Sequence, residues 1–286
     1  MFGIDTVLSL FRSNHRRTAG AKAVVTGAGS GIGRSFALEL ARRGGDVICA
    51  DIDADRAAET VALIDLLPTG TGHVVQCDVS DRGAIEQLAA QAQEVFGGAP
   101  SLVINNAGVG IGGKLVGDIG FDDWDWALGI NLWGVVYGCE VFTPILRSAG
   151  RGGIINVASA AGFAAAPSMA AYNVSKAGVM SLSETLAAEL DGTDIAVTVL
   201  CPTFVKTNVF TDGRITPGSV NLSQQMARWT GLSADNVAAR TLDAHDDGRL
   251  YVVPQFDANV IWHMKRHFPE LYVRGAGLLG RVLPQN

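Results

Sequence analysis

The chain has 286 residues, of which 48% are hydrophobic and 17% are charged, a balance that supports a large core and excludes a disordered polypeptide. Its formal net charge of −6 gives no electrostatic support for a nucleic-acid partner and favours small-molecule chemistry. The 4 cysteines are scattered singly without a CxxC pair, which indicates reduced core thiols and predicts a cytoplasmic protein. Predicted strands and helices alternate along most of the chain, as expected for a single α/β domain.

Residues 1–20 form a predicted amphipathic extension ahead of this domain. Their apolar residues come first, and Arg12, Arg16 and Arg17 follow, which is the reverse of the order in a secretory signal. We expect this element to pack on the body of the protein or on a partner subunit, with contact to a membrane surface as the alternative. Because no uninterrupted apolar run reaches the ~18 residues of a membrane span, we expect no transmembrane segment.

A glycine-rich turn follows the first predicted strand, whose sequence is AVVTG. Gly27, Gly31 and Gly33 lie where this strand gives way to a helix, IGRSFALELARRG. Glycine lets the backbone approach a pyrophosphate closely, and the free N–H groups at a helix N-terminus favour its negative charge. The pattern therefore predicts a dinucleotide-binding turn.

The second predicted strand, DVICAD, ends at Asp51. A carboxylate at this place accepts hydrogen bonds from the adenosine ribose and repels a 2′-phosphate, so we predict NAD rather than NADP as the cofactor. Arg34 would favour NADP, although its place inside the first helix is more typical of an ordinary surface residue.

The middle of the chain contributes two further predicted strands and a long helix. The strands are HVVQCDV and SLVINNAG, and the second one runs into Asn105 and Asn106. The helix, FDDWDWALGINLWGVVYGCEVFTPIL, contains Asn131, although asparagine is a poor helix former. Its wide apolar side, with that of the helix after Tyr172, indicates burial between the subunits of a homodimer or homotetramer.

The stretch from Ser159 to Lys176 carries the predicted chemistry. It is interpreted as the end of a buried strand, an apolar loop with Pro167, and the first turns of a helix. Tyr172 and Lys176 are four residues apart, so they share one face of that helix, and a nearby cation favours the phenolate form of tyrosine. Because Ser159 can hydrogen-bond the same oxygen, the stretch predicts an acid/base centre without a metal.

These motifs, in this order, resemble the short-chain dehydrogenase/reductase family over about residues 21–254. They are TGAGSGIG, NNAG, and a serine ahead of a YxxxK pair. The resemblance implies a Rossmann-type, doubly wound, mainly parallel seven-stranded sheet in a single domain. It also implies hydride transfer between nicotinamide and a secondary alcohol or ketone.

The resemblance further implies the roles of individual residues. It gives the catalytic residues as Asn131, Ser159, Tyr172 and Lys176, with Asn131 holding a water beside the lysine. It gives the cofactor-binding residues as Gly27, Ser30, Gly31, Ile32, Gly33, Asp51, Asp78, Val79, Asn105, Ala107, Gly108, Tyr172, Lys176, Pro202 and Thr207.

The chain departs from the family where most members have Pro-Gly. It has Pro202-Thr203, which puts the close approach of this backbone to the nicotinamide in doubt, while Thr207 stands where the family threonine binds the carboxamide. Residues 204–231 are predicted to form a lid. An apolar substrate is expected from side chains such as Phe163 and Met169, with Lys114 and Lys206 as the nearby basic residues.

Residues 255–286 form a predicted amphipathic helical tail, locally basic on an acidic protein. We favour packing of this tail on the protein or a neighbouring subunit over contact with a lipid surface, because its glycines and Pro269 weaken a continuous helix. His263 and His267 have the spacing of a metal pair, but Pro269 breaks the register, and no metal site is expected.

Two alternatives to an NAD-dependent enzyme remain at this point. One is an NADPH-dependent carbonyl reductase on the same scaffold, and the other is a non-enzymatic dinucleotide sensor, which has little reason to keep four catalytic residues together. The substrate, the reaction direction and the choice between dimer and tetramer stay open.

Overall fold

The protein is described by a computed structural model over residues 16–206, 213–218 and 231–282. Most of the predicted N-terminal extension, most of the predicted lid and Thr207 lie outside the described residues.

A seven-stranded parallel sheet forms the centre of the molecule. Its strands in chain order are β1 (Lys22–Thr26), β2 (Asp46–Asp51), β3 (Thr71–Gln76), β4 (Leu102–Asn105), β5 (Arg151–Val157), β6 (Asp194–Leu200) and β7 (Tyr251–Val252). They lie side by side in the order β7-β6-β5-β4-β1-β2-β3, and every pairing is parallel. The predicted doubly wound, seven-stranded fold is therefore confirmed.

Helices connect the strands and cover both faces of the sheet. They are α1 (Gly31–Arg42), α2 (Ala54–Ile64), α3 (Arg82–Phe96), α4 (Phe121–Leu128), α5 (Gly134–Ala149), α6 (Ala161–Ala164), α7 (Ala170–Glu189), α8 (Ala234–Asp246), α9 (Phe256–His267) and α10 (Pro269–Val282). Aspartate and serine side chains cap several of them: Asp53 accepts from two backbone N–H groups of α2, and Ser233 accepts from one of α8.

Most inner strands contain apolar runs because the sheet is buried on both faces. Val24, Ile48 and Val103 lie under one layer of helices, whereas Val25, Cys49 and Ile104 lie under the other, and all are fully buried. All four cysteines are free and buried, as expected. The carboxyl ends of the strands meet at one edge, and this edge carries the site described below.

The long helix predicted over residues 121–146 extends to Ala149 and is interrupted. Five residues, Gly129–Trp133, form a π-helical turn between α4 and α5. By length and composition alone, Phe121–Ala149 is apolar enough to cross a membrane. Polar residues interrupt this stretch, so it contains no long uninterrupted apolar run. Phe142 and Leu146 on its inner side are fully buried against the protein, which is the arrangement of a core helix.

The C-terminal tail folds back on the domain. Trp262 of α9 meets the ring of Phe163 edge to face at 4.9 Å between centroids, and Ala258 is fully buried. In α10, a Cβ added to Gly280 would lie 3.1 Å from the Pro167 ring. The tail therefore contacts the loop that precedes Tyr172, whereas Phe256, Phe268 and other side chains on its outer face are exposed.

Candidate active site

The glycine-rich turn is held between the ends of β1 and β4. Gly27 has a φ of +65°, and a Cβ there would lie 2.8 Å from the Cα of Ala107, so neither the backbone conformation nor the space suits a side chain. The Asn106 amide donates to the Thr26 carbonyl at 2.8 Å, and the Thr26 hydroxyl accepts from the N–H groups of Asn106 and Ala107. The turn is thereby fixed where α1 presents its free N–H groups.

Residues Ser30 to Gly33 form the start of α1, as the dinucleotide motif requires. Ser30 is the N-cap in an extended conformation, Gly31 has a φ of +54°, and Ile32 is partly buried against the core. The first N–H groups of a helix have no acceptor within it, and an anion placed here gains both hydrogen bonds and the helix dipole. The geometry fits a pyrophosphate.

Asp51 lies at the end of β2 beside this turn. Its carboxylate accepts from the N–H of Gly29 at 2.8 Å and from that of Asp53 at 3.1 Å. Arg34 lies on the same side: its guanidinium donates to the Gly29 carbonyl at 2.5 Å and pairs with Glu59 at 2.9 Å. The expectation of an ordinary surface arginine is therefore wrong, because the side chain folds back onto the turn.

The two residues predicted to flank the adenine differ in their surroundings. Asp78 is exposed just beyond β3, and its carboxylate accepts from the hydroxyl and the N–H of Ser80. Val79 is buried, and its side chain packs against Gly134. A cofactor contact of Val79 would therefore come from its backbone.

The two adjacent asparagines at the end of β4 point in opposite directions. The Asn105 side chain is 3% exposed and donates to the Asn156 side chain at 2.8 Å inside the core. Successive side chains of a strand alternate between the two faces, so a cofactor contact of Asn105 would come from its backbone and stays a prediction. Asn106 is the residue that borders the glycine-rich turn, and the sequence pattern did not distinguish the two.

Asn131 lies in the π-helical turn and is fully buried. Its side-chain oxygen accepts from the N–H of Val109 at 2.8 Å, and its amide donates to the Val109 carbonyl at 2.9 Å. A Cβ on Gly108 would lie 2.9 Å from that oxygen and 3.4 Å from the Lys176 Nζ atom. The π turn and Gly108 thus bring Asn131 and Lys176 together; such turns often occur at functional sites.

Ser159, Tyr172 and Lys176 form the centre of the site. The Ser159 hydroxyl lies close enough to Tyr172 to affect its pKa, and it donates to the Pro202 carbonyl at 3.3 Å. Lys176 Nζ donates to the Val157 carbonyl at 2.9 Å and lies 5.8 Å from the centre of the Tyr172 ring. These side chains meet at the carboxyl edge of β5, as the sequence predicted, and Asn131 reaches the same place through Gly108.

A model of the short chain dehydrogenase family matches residues 21–216, which include all of these side chains. The chain belongs to the short-chain dehydrogenase family. Among its relatives, the "Probable oxidoreductase EphD" of Mycobacterium tuberculosis is 41% identical over 197 residues, 68% of this chain and 33% of that protein. The chain thus spans about a third of the length of that relative.

Two other similar proteins match this short-chain dehydrogenase over most of its length. The C alpha-dehydrogenase of Sphingobium sp. strain SYK-6 is 31% identical and aligns over 81% of this chain and 79% of its own. The crystal structure of a short chain dehydrogenase/reductase from Burkholderia phymatum in complex with NAD has a TM-score of 0.80 and 35% identity, and covers 89% of this chain and 96% of that one.

The pKa values of this short-chain dehydrogenase reflect the burial of its centre. Burial raises the pKa of Tyr172, and the nearby Ser159 hydroxyl acts in the opposite direction. Burial also lowers the pKa of Lys176 to about 8. The removal of the phenol from water has the largest effect on the pKa of Tyr172, and the Lys176 amine lies beside the ring; that Lys176 lowers this pKa stays a prediction.

Thr203, which stands where most of the family has the glycine of Pro-Gly, lies against the start of the tail. The Thr203 N–H donates to the side-chain oxygen of Gln255 at 3.2 Å, and its hydroxyl donates to Asp257 at 3.3 Å. Gln255 was not predicted as a site residue. No local motif identifies it, because it reaches the site only through the tertiary fold.

Apolar residues and a cluster of ion pairs lie near the loop that precedes Tyr172. The described part of the predicted lid pairs with β-structure at Ile111–Gly112. Arg214 in this part and Lys114 each form an ion pair with Asp123 at 2.8 Å. Asp123 lies in the first turn of α4, so its ion pair with Arg214 ties residues 213–218 to that helix.

One cleft among the described residues lies away from these side chains. It has a volume of about 610 Å³ and is lined by residues of α8, β7 and α9, including Arg240, Tyr251 and Trp262. None of the predicted site residues lines it, so its size does not identify the site.

Proposed function

We propose that this short-chain dehydrogenase uses NAD to interconvert an apolar secondary alcohol and its ketone. The observation that carries the proposal is the meeting of Ser159, Tyr172, Lys176 and Asn131 beside a dinucleotide turn. Such a set suits proton transfer to or from a substrate oxygen, whereas a binding module needs no acid/base group there. NAD would bind along the turn and supply the acceptor or donor of the hydride.

In the oxidising direction, Tyr172 removes the proton of the substrate hydroxyl. Ser159, which lies close to Tyr172, holds the substrate oxygen in line with that phenol. Lys176 binds the nicotinamide ribose, and Asn131 orders a water in the proton relay behind it. The Val157 carbonyl and Val109 backbone, which fix Lys176 and Asn131 respectively, keep these groups oriented before substrate binds.

The preference for NAD is supported by the Asp51 carboxylate beside the turn. A 2′-phosphate near this carboxylate would be repelled. NADPH is the second candidate, because two arginines lie near the turn. Arg34 contacts it, and a Cβ on Gly29 would lie 2.7 Å from the Arg56 Cβ. Titration of the protein with NADH and NADPH, followed by nicotinamide fluorescence, tests the choice: tighter binding of NADPH would show that NADP is the cofactor.

The apolar substrate is supported by the residues around the loop that precedes Tyr172. Phe163 and Ile111 are buried there, and the basic side chains of Lys114 and Arg214 are engaged by Asp123. Because two cations share one carboxylate, these three groups keep a net charge of +1, and the support for an apolar substrate comes from Phe163 and Ile111. We propose hydroxyl-bearing lipids, terpenoids or aromatic secondary alcohols as the substrate class.

The experiment that tests the proposed function is a screen of secondary alcohols, with NAD reduction followed by absorbance. Tyr172→Phe serves as the matched control, because it removes only the hydroxyl that transfers the proton. We expect turnover to fall by about 10²- to 10⁴-fold in this variant, with NADH binding nearly unchanged. Turnover that survives in Tyr172→Phe would contradict the mechanism, and NAD binding without turnover on any alcohol or ketone would favour the sensor.

A further inference from the structure

The ladder between β6 and β7 stops where the segment beside Ser159 begins. The Cys201 N–H donates to the Val252 carbonyl at 2.8 Å. The next residue, Pro202, has no N–H to continue the ladder. Its carbonyl points towards β5 and accepts from the Ala160 N–H at 2.8 Å and from the Ser159 hydroxyl at 3.3 Å.

Beyond the end of the ladder, the side chain of Gln255, rather than the backbone of β7, forms the hydrogen bonds to this segment. Its oxygen accepts from the Thr203 N–H at 3.2 Å, and its nitrogen donates to the Phe204 carbonyl at 3.3 Å. The side chain is almost fully buried, since the residue is 4% exposed. One amide therefore holds two successive residues on the side opposite to Ser159.

The Thr203 side chain strengthens this attachment. Its hydroxyl donates to Asp257 in the first turn of α9, a bond that the glycine found in most of the family cannot make. Thr203, at which the chain departs from the family pattern, is therefore bonded to residues that follow β7. Thr203 and the start of the tail together hold the same backbone segment.

We propose that Gln255 is a positioning residue for the proton transfer, acting on Ser159 through Pro202. The proposal rests on the proposed function, in which Ser159 holds the substrate oxygen. Without the Gln255 amide, the Thr203 N–H loses its acceptor in a partly buried place, which favours movement of the segment. The Pro202 carbonyl moves with it, so the Ser159 hydroxyl loses its fixed acceptor and its alignment with Tyr172.

The kinetic test introduces Gln255→Met into two backgrounds, the native protein and Ser159→Ala. This substitution removes both hydrogen bonds and keeps the length of the side chain. We expect kcat to fall about 10-fold in the native background and by less than about 2-fold in Ser159→Ala, because two residues of one unit are not additive. Gln255→Glu keeps the acceptor for Thr203 and should recover part of the loss. An unchanged kcat, or an equal loss in both backgrounds, would overturn the proposal.

Gln93→Met is the matched control, because its amide bonds only within α3, to the Ala89 carbonyl. The dependence of kcat on pH provides a second measurement, because a loss of stability alone does not shift it. The Ser159 hydroxyl donates its one proton to the Pro202 carbonyl. If that carbonyl moves away, the proton can be donated to Tyr172, and such a bond lowers the pKa of Tyr172. The profile of Gln255→Met should therefore shift to lower pH, whereas that of Gln93→Met should not.

Amide hydrogen exchange tests the attachment without any substrate. In the full chain, Gln255→Met should speed the exchange of the Ala160 amide, which donates to the Pro202 carbonyl, and Gln93→Met should leave it unchanged. Unchanged exchange in Gln255→Met would overturn the proposal. If the native protein oxidises no alcohol, the proposed function fails, while the exchange result still decides whether Gln255 holds this segment.

Discussion

At the scale of single residues, Asp51 and its neighbour Asp53 have different roles: the first bears on cofactor choice and the second caps a helix. Asp51 faces the turn through Gly29, whereas Asp53 caps α2. We expect Asp51→Ala to weaken NADH binding and to reduce the preference for NADH over NADPH by at least about 10-fold, because both the ribose contacts and the repulsion of a 2′-phosphate are lost.

The matched control is Asp53→Ala. It should cost about 1 kcal/mol of stability through the lost cap and leave the ratio of the two dissociation constants unchanged. A preference that stays the same in Asp51→Ala would assign the discrimination to another residue.

His245 provides a prediction for the dependence of stability on pH. It is fully buried, its Nδ1 lies 2.9 Å from the Thr198 hydroxyl, and its Nε2 has no hydrogen-bond partner among the described residues. Burial lowers its pKa from about 6.5 to about 3, so between these values the unfolded chain binds a proton that the folded protein does not. The stability that depends on neutral His245 is therefore full above about pH 6.5 and is lost as the pH falls towards 3.

Thermal unfolding at pH 7.5 and at pH 5 measures this effect. We expect the Tm to fall between the two conditions in the native protein and to fall less in His245→Gln, whose side chain does not titrate. His263→Gln changes an exposed histidine of α9 and should keep the native difference. An equal drop in His245→Gln and the native protein would contradict the assignment.

At the scale of elements, the contact between α1 and the glycine-rich turn limits what Gly33 tolerates. A Cβ there would overlap the Gly27 carbonyl and would lie 2.5 Å from the Asn106 side-chain nitrogen. Both neighbours are fixed by the ends of β1 and β4, so Gly33→Ala should displace α1 and abolish measurable NADH binding. Gly275→Ala is the control: nothing lies within 4 Å of its Cβ, and alanine in place of a helical glycine should stabilise α10 by roughly 0.5–1 kcal/mol.

The elements that sequence reasoning predicts well are those whose pattern is local. Most inner strands of the sheet contain a short apolar run, whereas the edge strand β3 is largely exposed, and Gly27, Asp51 and Tyr172 lie at strand or helix ends that these patterns mark. Propensity indicated only that Asn131 suits a helix poorly, not that a π turn forms there, and α6 between Ser159 and Tyr172 was predicted as loop because four residues are too few for a periodic signal.

Long-range contacts account for the remaining differences. Which of Asn105 and Asn106 faces the cofactor depends on the register of β4, and the raised pKa of Tyr172 depends on burial that no spacing of residues reveals. Gln255 meets Thr203 only because β6 and β7 pair. The sequence therefore indicates which residue types meet at the carboxyl edge, while their orientation and electrostatics follow from packing.

At the scale of the whole molecule, exposed apolar side chains lie on the π turn and α7. Trp133, which stacks on Tyr137, is 50% exposed, and Val174 is 49% exposed. We propose that this surface is buried in a homo-oligomer, as the apolar sides of these helices predicted. Trp133→Glu should reduce the mass measured by light scattering to that of the monomer, because a buried carboxylate is unfavourable.

Leu66→Glu is the control for this substitution. Leu66 is 81% exposed beyond the end of α2, on another part of the surface, and the variant should keep the native mass. A native protein that is monomeric at all concentrations would exclude the interface.

The order of the strands also determines when the site can form during synthesis. β1 pairs with β4, which emerges from the ribosome much later, and the segment beside Ser159 receives its second support only when Gln255 has been translated. Parallel pairing between distant segments is slow, and incomplete sheets expose apolar edges to which chaperones bind. A nascent chain would therefore complete the glycine-rich turn and its support by β4 well before it could align Ser159, because 255 − 105 = 150 residues separate the end of β4 from Gln255.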